Sequence, residues 1–345
     1  MPDTGSRHHP SCASYEPAPQ QSGLGELIGE AVLESAGAVE LRVDFPWCRQ
    51  PSGRMAGGRR PADPGEVQAA RRGMSLRALV HFLFERAGFN RWSPAMEGKR
   101  TQAVLHKYLM RAAEQVRAKG IVLGERLYVP EPFQEATRLE VAERRRQRLG
   151  VLRPVDGVAP LAMVLAEFKA VEACAGGCRV WLKHMPDVPL LASAKTWERI
   201  ARTYAAVLEA RDADLGQRVH AVMAALIRAR REHTYEIDTA TLMLASEQWI
   251  PIEGLHELPL LQALFAARRR FIKPLRYDAR HAAVFANALL LDTGGETTPL
   301  HVLSPFLPAR EREAKAEVLR HAADAWVWST DVPMPPLPAA RVLGT

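Results

Sequence analysis

Three residues in the middle of the chain have the types and spacing of a magnesium-dependent nuclease site. Glu167 and Lys169 form an acid-x-lysine pair, and Asp156 lies upstream of them. In nucleases of the PD-(D/E)xK type, carboxylates hold Mg²⁺ and the lysine helps to position the attacking water. Alternation along a strand places Glu167 and Lys169 on one face. An ordinary ion pair across that face explains the same spacing, so the nuclease is an alternative interpretation.

Two further groups contain residues that can bind a metal ion. His8 and Cys12 form an H-x-x-x-C arrangement near the N-terminus, but a closed zinc site needs about four ligands. Cys174 and Cys178 form the only close cysteine pair, and His184 shares strand parity with Cys178. Small residues on either side of a turn explain the cysteine pair more simply.

Positive charge is concentrated in one segment of the chain. Residues 71–148 contain 17 Lys and Arg against 8 Asp and Glu, although the net charge of the whole chain is only +7. A basic surface on helices can bind phosphates, and a solvated helix face is the alternative. The candidate phosphate-binding residues are Arg77, Arg91, Lys99, Arg100, Lys107, Arg111 and Lys119.

The elements that position these residues change in type along the chain. Ser75 begins a helix that ends near Gly88, Ser93 begins a second helix that extends to about Lys119, and a third ends at Arg148. Two helices separated by a turn indicate a helix-turn-helix-like pair. From residue 158 onward we predict strands at 161–170, 179–184, 235–245, 285–291, 300–304 and 326–328, with 219–227 either strand or helix. Helices are predicted at 193–210, 258–267 and 309–323.

These elements predict an α+β fold in several parts. An N-terminal segment (1–48) contains a strand at 39–45, and a linker or surface loop rich in Pro and Gly covers 49–73. A basic helical domain (74–149) precedes a mixed-sheet α/β domain (158–338). A degenerate restriction-endonuclease-like fold is the alternative for the second domain.

Composition excludes several classes of protein. No apolar run is long enough to span a membrane, and no secretory signal begins the chain, so we expect no membrane partner. Four cysteines are too few for a disulfide scaffold and favour a cytoplasmic protein. Neither a P-loop nor a nucleophile elbow of the G-x-S-x-G type occurs.

Several separate stretches resemble one bacterial family, catalogued as domain of unknown function 1173. The resemblance covers residues 4–17, 75–133, 181–186, 247–277 and 326–338. It includes Gly98-Lys99-Arg100, Val129-Pro130-Glu131-Pro132-Phe133, Lys183-His184-Met185-Pro186 and Trp249-Ile250-Pro251. The family is uncharacterised and is often encoded on integrative and conjugative elements, so the resemblance implies a mobile-element protein without implying a reaction.

The resemblance also bears on the H-x-x-x-C arrangement. Family members usually begin some tens of residues earlier, with a C-x-C segment that would complete a zinc site together with His8 and Cys12. Met1 falls inside the family pattern, so we expect that pair to be missing if Met1 is the true start. We therefore expect zinc only if an upstream cysteine pair is present, and otherwise assign no cofactor.

The residues favour a non-catalytic accessory protein of a mobile element that binds DNA or RNA through its basic helices. A magnesium-dependent nuclease built on Asp156, Glu167 and Lys169 is the first alternative. A factor that binds other mobile-element proteins is the second, for which a large apolar surface patch is the expected sign.

Overall fold

The computed structural model describes residues 8–10, 12, 15–35, 38–49, 73–213, 219–280, 282–320 and 325–341. The expected linker at 49–73 lies outside this part of the chain except at its two ends. The helices are α1 (Leu76–Arg86), α2 (Gln102–Glu114), α3 (Leu123–Arg126), α4 (Arg138–Leu149), α5 (Ala194–Thr203), α6 (Ala205–Asp212), α7 (Leu258–Ala266) and α8 (Ala309–Arg320).

The strands of the first half are β1 (Val32–Ser35), β2 (Ala38–Leu41), β3 (Cys48–Arg49), β4 (Arg91–Trp92), β5 (Val116–Ala118), β6 (Ile121–Val122), β7 (Leu127–Tyr128) and β8 (Ala159–Pro160). Those of the second half are β9 (Ala162–Cys174), β10 (Gly177–Leu182), β11 (Leu190–Ser193), β12 (Val219–Arg231), β13 (Thr234–Ser246), β14 (Pro251–Ile252), β15 (Phe271–Ile272), β16 (Ala288–Leu290), β17 (Thr298–Leu303) and β18 (Trp326–Ser329). The chain is therefore a mixed α/β protein, as the sequence predicted.

The first half of the chain packs α1 and α2 beside a four-stranded sheet with the order β1-β2-β5-β6. The Ser75 hydroxyl accepts a hydrogen bond from the Ala78 amide and caps α1, as predicted. Gly88 follows the helix at a φ of +76°, which glycine adopts without strain.

The second predicted helix is shorter than expected. Thr101 caps it, and it ends at Glu114 because the next residues form β5 and β6. The connection between α1 and α2 contains β4, which pairs with β15 (Phe271–Ile272), a strand about 180 residues later in the chain. A tight turn does not join the two helices, so the structure does not confirm a helix-turn-helix-like pair.

Five strands close into a barrel in the second half of the chain. β9 pairs with β10, β10 with β11, β11 with β13, β13 with β12, and β12 with β9 again. All of these pairings are antiparallel except that of β11 with β13, which is parallel. The residues at 219–227, which the sequence left open between strand and helix, belong to the longest hairpin of this barrel.

The barrel has the strand arrangement of an OB-fold. Counted along the chain, its strands follow the closed order 1-2-3-5-4, with α5 and α6 between the third and the fourth strand. An OB-fold is a five-stranded Greek-key barrel of this kind. The described residues do not confirm the restriction-endonuclease-like alternative.

The barrel wall is apolar on both faces along part of its length. Val164, Ala225 and Ile237 point into the interior, where Ile200 of α5 joins them. Leu165 and Leu226 point outward into a second core that they share with α1 and the four-stranded sheet. Strands buried on both faces consist of nearly continuous apolar runs, which is why these segments show little alternation.

The C-terminal part adds a five-stranded sheet with the order β18-β17-β16-β15-β4, and α7 and α8 belong to the same part of the chain. A third core of apolar residues joins this sheet to α7. Across the residues that the structure describes, none of the helices combines the length and apolar character needed to cross a membrane.

Candidate functional site

A cavity of about 600 Å³ opens beside the barrel wall, next to the residues that precede α2. We call it the junction cavity. It is lined by Gly98, Arg100, Thr101, Gln102, Glu167, Lys183, His184, His220, Glu247, Gln248 and Trp249. Its volume lies in the range of known ligand sites.

The cavity lies where β9 changes its pairing partner. β9 pairs with β12 up to Glu167 and with β10 from Phe168 onward. Lys183 follows the end of β10, and its amide bonds to the Glu167 carbonyl. His220 lies two positions before the β12 partner of Glu167 and therefore on the same outer face. The divergence of β10 and β12 thus gathers three side chains that are distant in sequence.

Glu167 is the centre of this group. Its carboxylate accepts a hydrogen bond from the Lys183 ammonium through Oε1, and its Oε2 lies 3.1 Å from His220 Nδ1. Burial raises the pKa of Glu167, but the contacts with His220 and Lys183 outweigh burial and hold that pKa below its ordinary value. Glu167 is thus ionised at neutral pH.

The imidazole of His220 is held between a carboxylate and an aromatic ring. It stacks on Trp249 with ring centroids 3.8 Å apart and an angle of 5° between the planes. Trp249 itself has a φ of +58°, and His184 at the other side of the cavity has a φ of +64°. Such left-handed backbone is costly for these residues and is concentrated at functional sites in many proteins.

His184 has a fixed tautomer in its neutral form. Its Nδ1 accepts a hydrogen bond of 3.0 Å from the Phe133 amide, so Nε2 carries the proton. Burial lowers the pKa of His184 below its ordinary value, which favours this neutral form.

Arg100, a candidate phosphate-binding residue, is instead engaged by the protein itself. Its guanidinium donates hydrogen bonds to the carbonyl oxygens of Gly88, Phe89, Arg91 and Gln248. Burial lowers its pKa to about 10. The group joins the end of α1 to the turn after β13, while its charge remains beside the cavity.

The other candidate phosphate-binding residues fall into two groups. Arg77 forms an ion pair with Glu253, Arg91 donates to the Tyr15 carbonyl, and Lys119 donates to the Phe45 carbonyl. The remaining three side chains are exposed on or beside α2 and form no ion pair with the described residues. They are Lys99, Lys107 and Arg111.

The three residues of the predicted magnesium site do not form one cluster. Asp156 is exposed in the turn before β8, at a φ of +50°. Lys169 is also exposed, whereas Glu167 is buried and contacts Lys183 and His220. Within the described residues, no group of three or more His, Cys, Asp and Glu side chains has the arrangement of a metal site.

His8 and Cys12 are close to each other in the structure. Cys12 Sγ lies 3.7 Å from His8 Nδ1. Two ligands on one tetrahedral zinc ion are separated by about 3.6 Å when the Zn–S and Zn–N bonds have their usual lengths. The spacing therefore fits half of a zinc site, but the number of ligands does not.

Cys174 and Cys178 flank the β9–β10 hairpin, as predicted, and both are free thiols. Cys178 points into the barrel, and burial raises its pKa. His184 lies beyond the end of β10 at the junction cavity instead of beside Cys178.

A second cavity, of about 270 Å³, lies between the end of α4 and the β12–β13 loop. We call it the arginine groove and define it by Arg146, Arg153, Arg230, Arg231 and His233. Three of these residues, Arg153, Arg230 and Arg231, are exposed and form no ion pair with the described residues. Glu232 is the only acidic residue of the groove lining.

A buried polar cluster lies in the C-terminal part of the chain. Lys273 Nζ lies 2.9 Å from Glu257 Oε1, which also accepts a hydrogen bond from Asn287. The Asn287 side-chain oxygen in turn accepts from Lys315 of α8. Burial lowers the pKa of Lys315 to about 7.

Sequence reasoning missed His220, Lys183 and the arginines of the groove as functional residues. One signal was available, because three stretches that carry the family resemblance contribute to the junction cavity. They are residues 98–100, 183–186 and 249–251. These stretches are far apart in the sequence, so their proximity in the structure could not be inferred from it.

Comparison with known proteins is consistent with that resemblance. No curated protein matches the chain, and no solved structure matches it. A family model described as "Protein of unknown function (DUF1173)" matches residues 1–331, which is nearly the whole chain. The chain therefore belongs to the DUF1173 family.

Proposed function

We propose that the chain binds nucleic acid and holds the phosphate backbone in the arginine groove. The observation that carries the proposal is the set of exposed arginines at the loop between the fourth and the fifth barrel strand. In OB-folds this loop contributes to the binding of oligonucleotides. Arginine suits phosphates because its planar guanidinium donates two parallel hydrogen bonds.

Local charge supports the same surface. Arg230 and Arg231 lie on one side of the groove and Arg153 on the other, so a strand in the groove meets positive charge from both sides. Nucleic-acid affinity arises largely from such contacts, because each neutralised phosphate releases counterions. Lys99, Lys107 and Arg111 form a second exposed basic surface that we propose as an additional contact.

The test is a charge reversal in the groove. The double variant Arg230→Glu, Arg231→Glu should weaken binding of a labelled single-stranded oligonucleotide in an anisotropy titration. Loss of two phosphate contacts should also reduce the slope of log K against log salt by about 1.4. The variant Lys99→Glu, Lys107→Glu measures the contribution of the second surface in the same way.

A matched control separates a binding site from a simple effect of net charge. Arg199 and Arg202 are exposed on α5, away from the groove, and their double change to glutamate alters the net charge by the same amount. We expect this control to bind almost as tightly as the wild type. Equal losses in the control and the groove variant would contradict the proposal, as would unchanged binding in the groove variant.

A further inference from the structure

We propose that the junction cavity is a catalytic site for metal-independent cleavage of RNA, with His220 as the general base. This inference rests on the proposed nucleic-acid binding. Binding at the basic surfaces does not require the cavity, so the inference gives the cavity a separate role. The proposed cleavage uses no metal ion, unlike the magnesium site that the acid-x-lysine spacing predicted.

The orientation of His220 is that of a general base supported by a carboxylate. Glu167 Oε2 lies 3.1 Å from Nδ1 without the geometry of a hydrogen bond, and the Trp249 stack fixes the plane of the ring. The negative charge of the carboxylate attracts the ring proton to Nδ1 and leaves Nε2 as the base. His220 Nε2 forms no hydrogen bond with the described residues, and His220 lines the cavity.

Glu167 acts as a positioning residue. It is only 8% exposed and stays ionised because Lys183 compensates its charge and His220 contacts its other oxygen. When His220 takes up a proton, the adjacent carboxylate stabilises the imidazolium that forms. Both carboxylate oxygens of Glu167 are engaged by these two partners, and the other acidic residue of the cavity lining is Glu247.

Cationic and neutral donors lie beside the base. The Lys183 side chain is 41% exposed, and the Arg100 guanidinium also lines the cavity. His184 has an Nε2–H that can donate a hydrogen bond to a phosphate oxygen. The lining also contains the carboxylates of Glu167 and Glu247, so its charges are balanced, and Lys183 and His184 are the side chains that can donate to a phosphodiester.

The reaction needs no co-reactant from outside the RNA. His220 Nε2 takes the proton of a ribose 2′-hydroxyl while O2′ forms a bond to phosphorus. The bond between phosphorus and O5′ breaks, and O5′ takes a proton from water. His220 then returns its proton to the solvent, so the products are a 2′,3′-cyclic phosphate and a 5′-hydroxyl. DNA lacks the attacking hydroxyl and is not cleaved.

The experiment measures cleavage of a labelled RNA oligonucleotide in the presence of EDTA by the full-length chain. Wild type should cleave RNA and leave the matching DNA intact. His220→Gly, purified in the same way, should cleave at least about 100-fold more slowly, which is the usual contribution of a general base. Its RNA binding should remain, since the arginine groove is unchanged.

Chemical rescue distinguishes a catalytic role from a structural one. Free imidazole should restore cleavage by His220→Gly, because the vacated space lies between Trp249 and Glu167. Rescue should fail in the double variant Glu167→Gln, His220→Gly, since no carboxylate then orients the added ring. Glu172→Gln, at an exposed position of the same strand, is the control that should leave cleavage unchanged.

Each remaining outcome has a definite meaning. If wild type binds RNA but leaves it intact, the inference is wrong and the proposed function stands; if it neither binds nor cleaves RNA, both are wrong. Cleavage that requires Mg²⁺ and is lost in Lys169→Ala overturns the inference in favour of the acid-x-lysine site. If His220→Gly does not fold, Lys183→Met replaces it as the test, and full activity of Lys183→Met overturns the inference.

Discussion

Replacing Glu257 with glutamine removes the only negative charge from the hydrogen-bonded group that contains Lys273, Asn287 and Lys315. The side chains of Glu257 and Lys273 are 1% and 3% exposed, so their ion pair is shielded from water. Removal of the carboxylate leaves the Lys273 ammonium buried without the counter-charge to which it donates a hydrogen bond. Breaking a buried pair in this way costs about 3–5 kcal/mol of stability.

The pKa of Glu257 gives a second measure of the same stabilisation. Burial raises this pKa, but attraction to Lys273, His256 and Arg276 outweighs burial and lowers it from 4.5 to about 2. A shift of this size corresponds to about 3 kcal/mol of stability at pH 7. Because the folded-state pKa is depressed, the stabilisation is fully present above about pH 4.5. It is lost as the pH falls through about 2.

Urea unfolding followed by circular dichroism measures the effect. Glu257→Gln should lower the free energy of unfolding by about 3 kcal/mol at pH 7. The difference in the free energy of unfolding between wild type and Glu257→Gln should become smaller as the pH falls below 4.5. In that range the wild-type carboxylate begins to lose its stabilising contribution. Glu313→Gln, at an exposed position of α8, is the matched control and should change stability by less than about 0.5 kcal/mol. Equal stability of wild type and Glu257→Gln at pH 7, or a difference that stays constant down to pH 3, would refute the reasoning.

Three further predictions concern stability. Gly177→Ala places a Cβ atom 2.1 Å from the Ala192 carbonyl oxygen, so it should cost about 1–3 kcal/mol in thermal melting, whereas Gly150→Ala meets no neighbour within 4 Å and should not. Arg100→Met should lower the free energy of unfolding in urea by at least about 2 kcal/mol, because buried carbonyl oxygens lose a charged donor. Oligonucleotide affinity at the arginine groove should persist in the folded variant. His81 is kept neutral because burial lowers its pKa to about 4. The free energy of unfolding of wild type should therefore fall by up to about 3 kcal/mol as the pH falls from 6.5 to 4. The stability of His81→Gln should depend less on pH over that range.

Local signals in the sequence were sufficient for several elements. The Ser75 cap and the helical spacing after it predicted α1, and the structure confirms both. The Gly-rich stretch between Cys174 and Cys178 predicted the β9–β10 hairpin, where Gly176 adopts a φ of +81°. In each case the residues that determine the element are its own neighbours in sequence.

Closure of the barrel could not be predicted, because it depends on pairings between distant segments. β9 pairs with β12 more than fifty residues later, and β11 pairs in parallel with β13 across two helices. Residues 219–227 are rich in alanine and fit either a helix or a strand by pattern alone. Only the neighbouring strands on both sides decide in favour of the strand.

The sequence predicted one residue of the candidate site but not its partners, for the same reason. The acid-x-lysine spacing correctly drew attention to Glu167, but strand alternation suggested Lys169 as its partner. In the structure, β10 supplies Lys183 and β12 supplies His220 at the place where β9 changes partners. A similar limit applies to Arg100, since charge counting cannot distinguish a solvated guanidinium from one surrounded by carbonyl oxygens.

The outward-facing apolar side chains of the barrel make the two halves of the chain interdependent. Met163, Leu165, Val222 and Leu226 are covered by α1 and by residues from the first sheet, not by water. A fragment that begins after α4 would expose these apolar side chains to water. Such a fragment should aggregate or be bound by chaperones. Transfer of the barrel into another protein would therefore require one of two things. Either α1 and the first sheet must accompany it, or its outward-facing apolar residues must be replaced by polar ones.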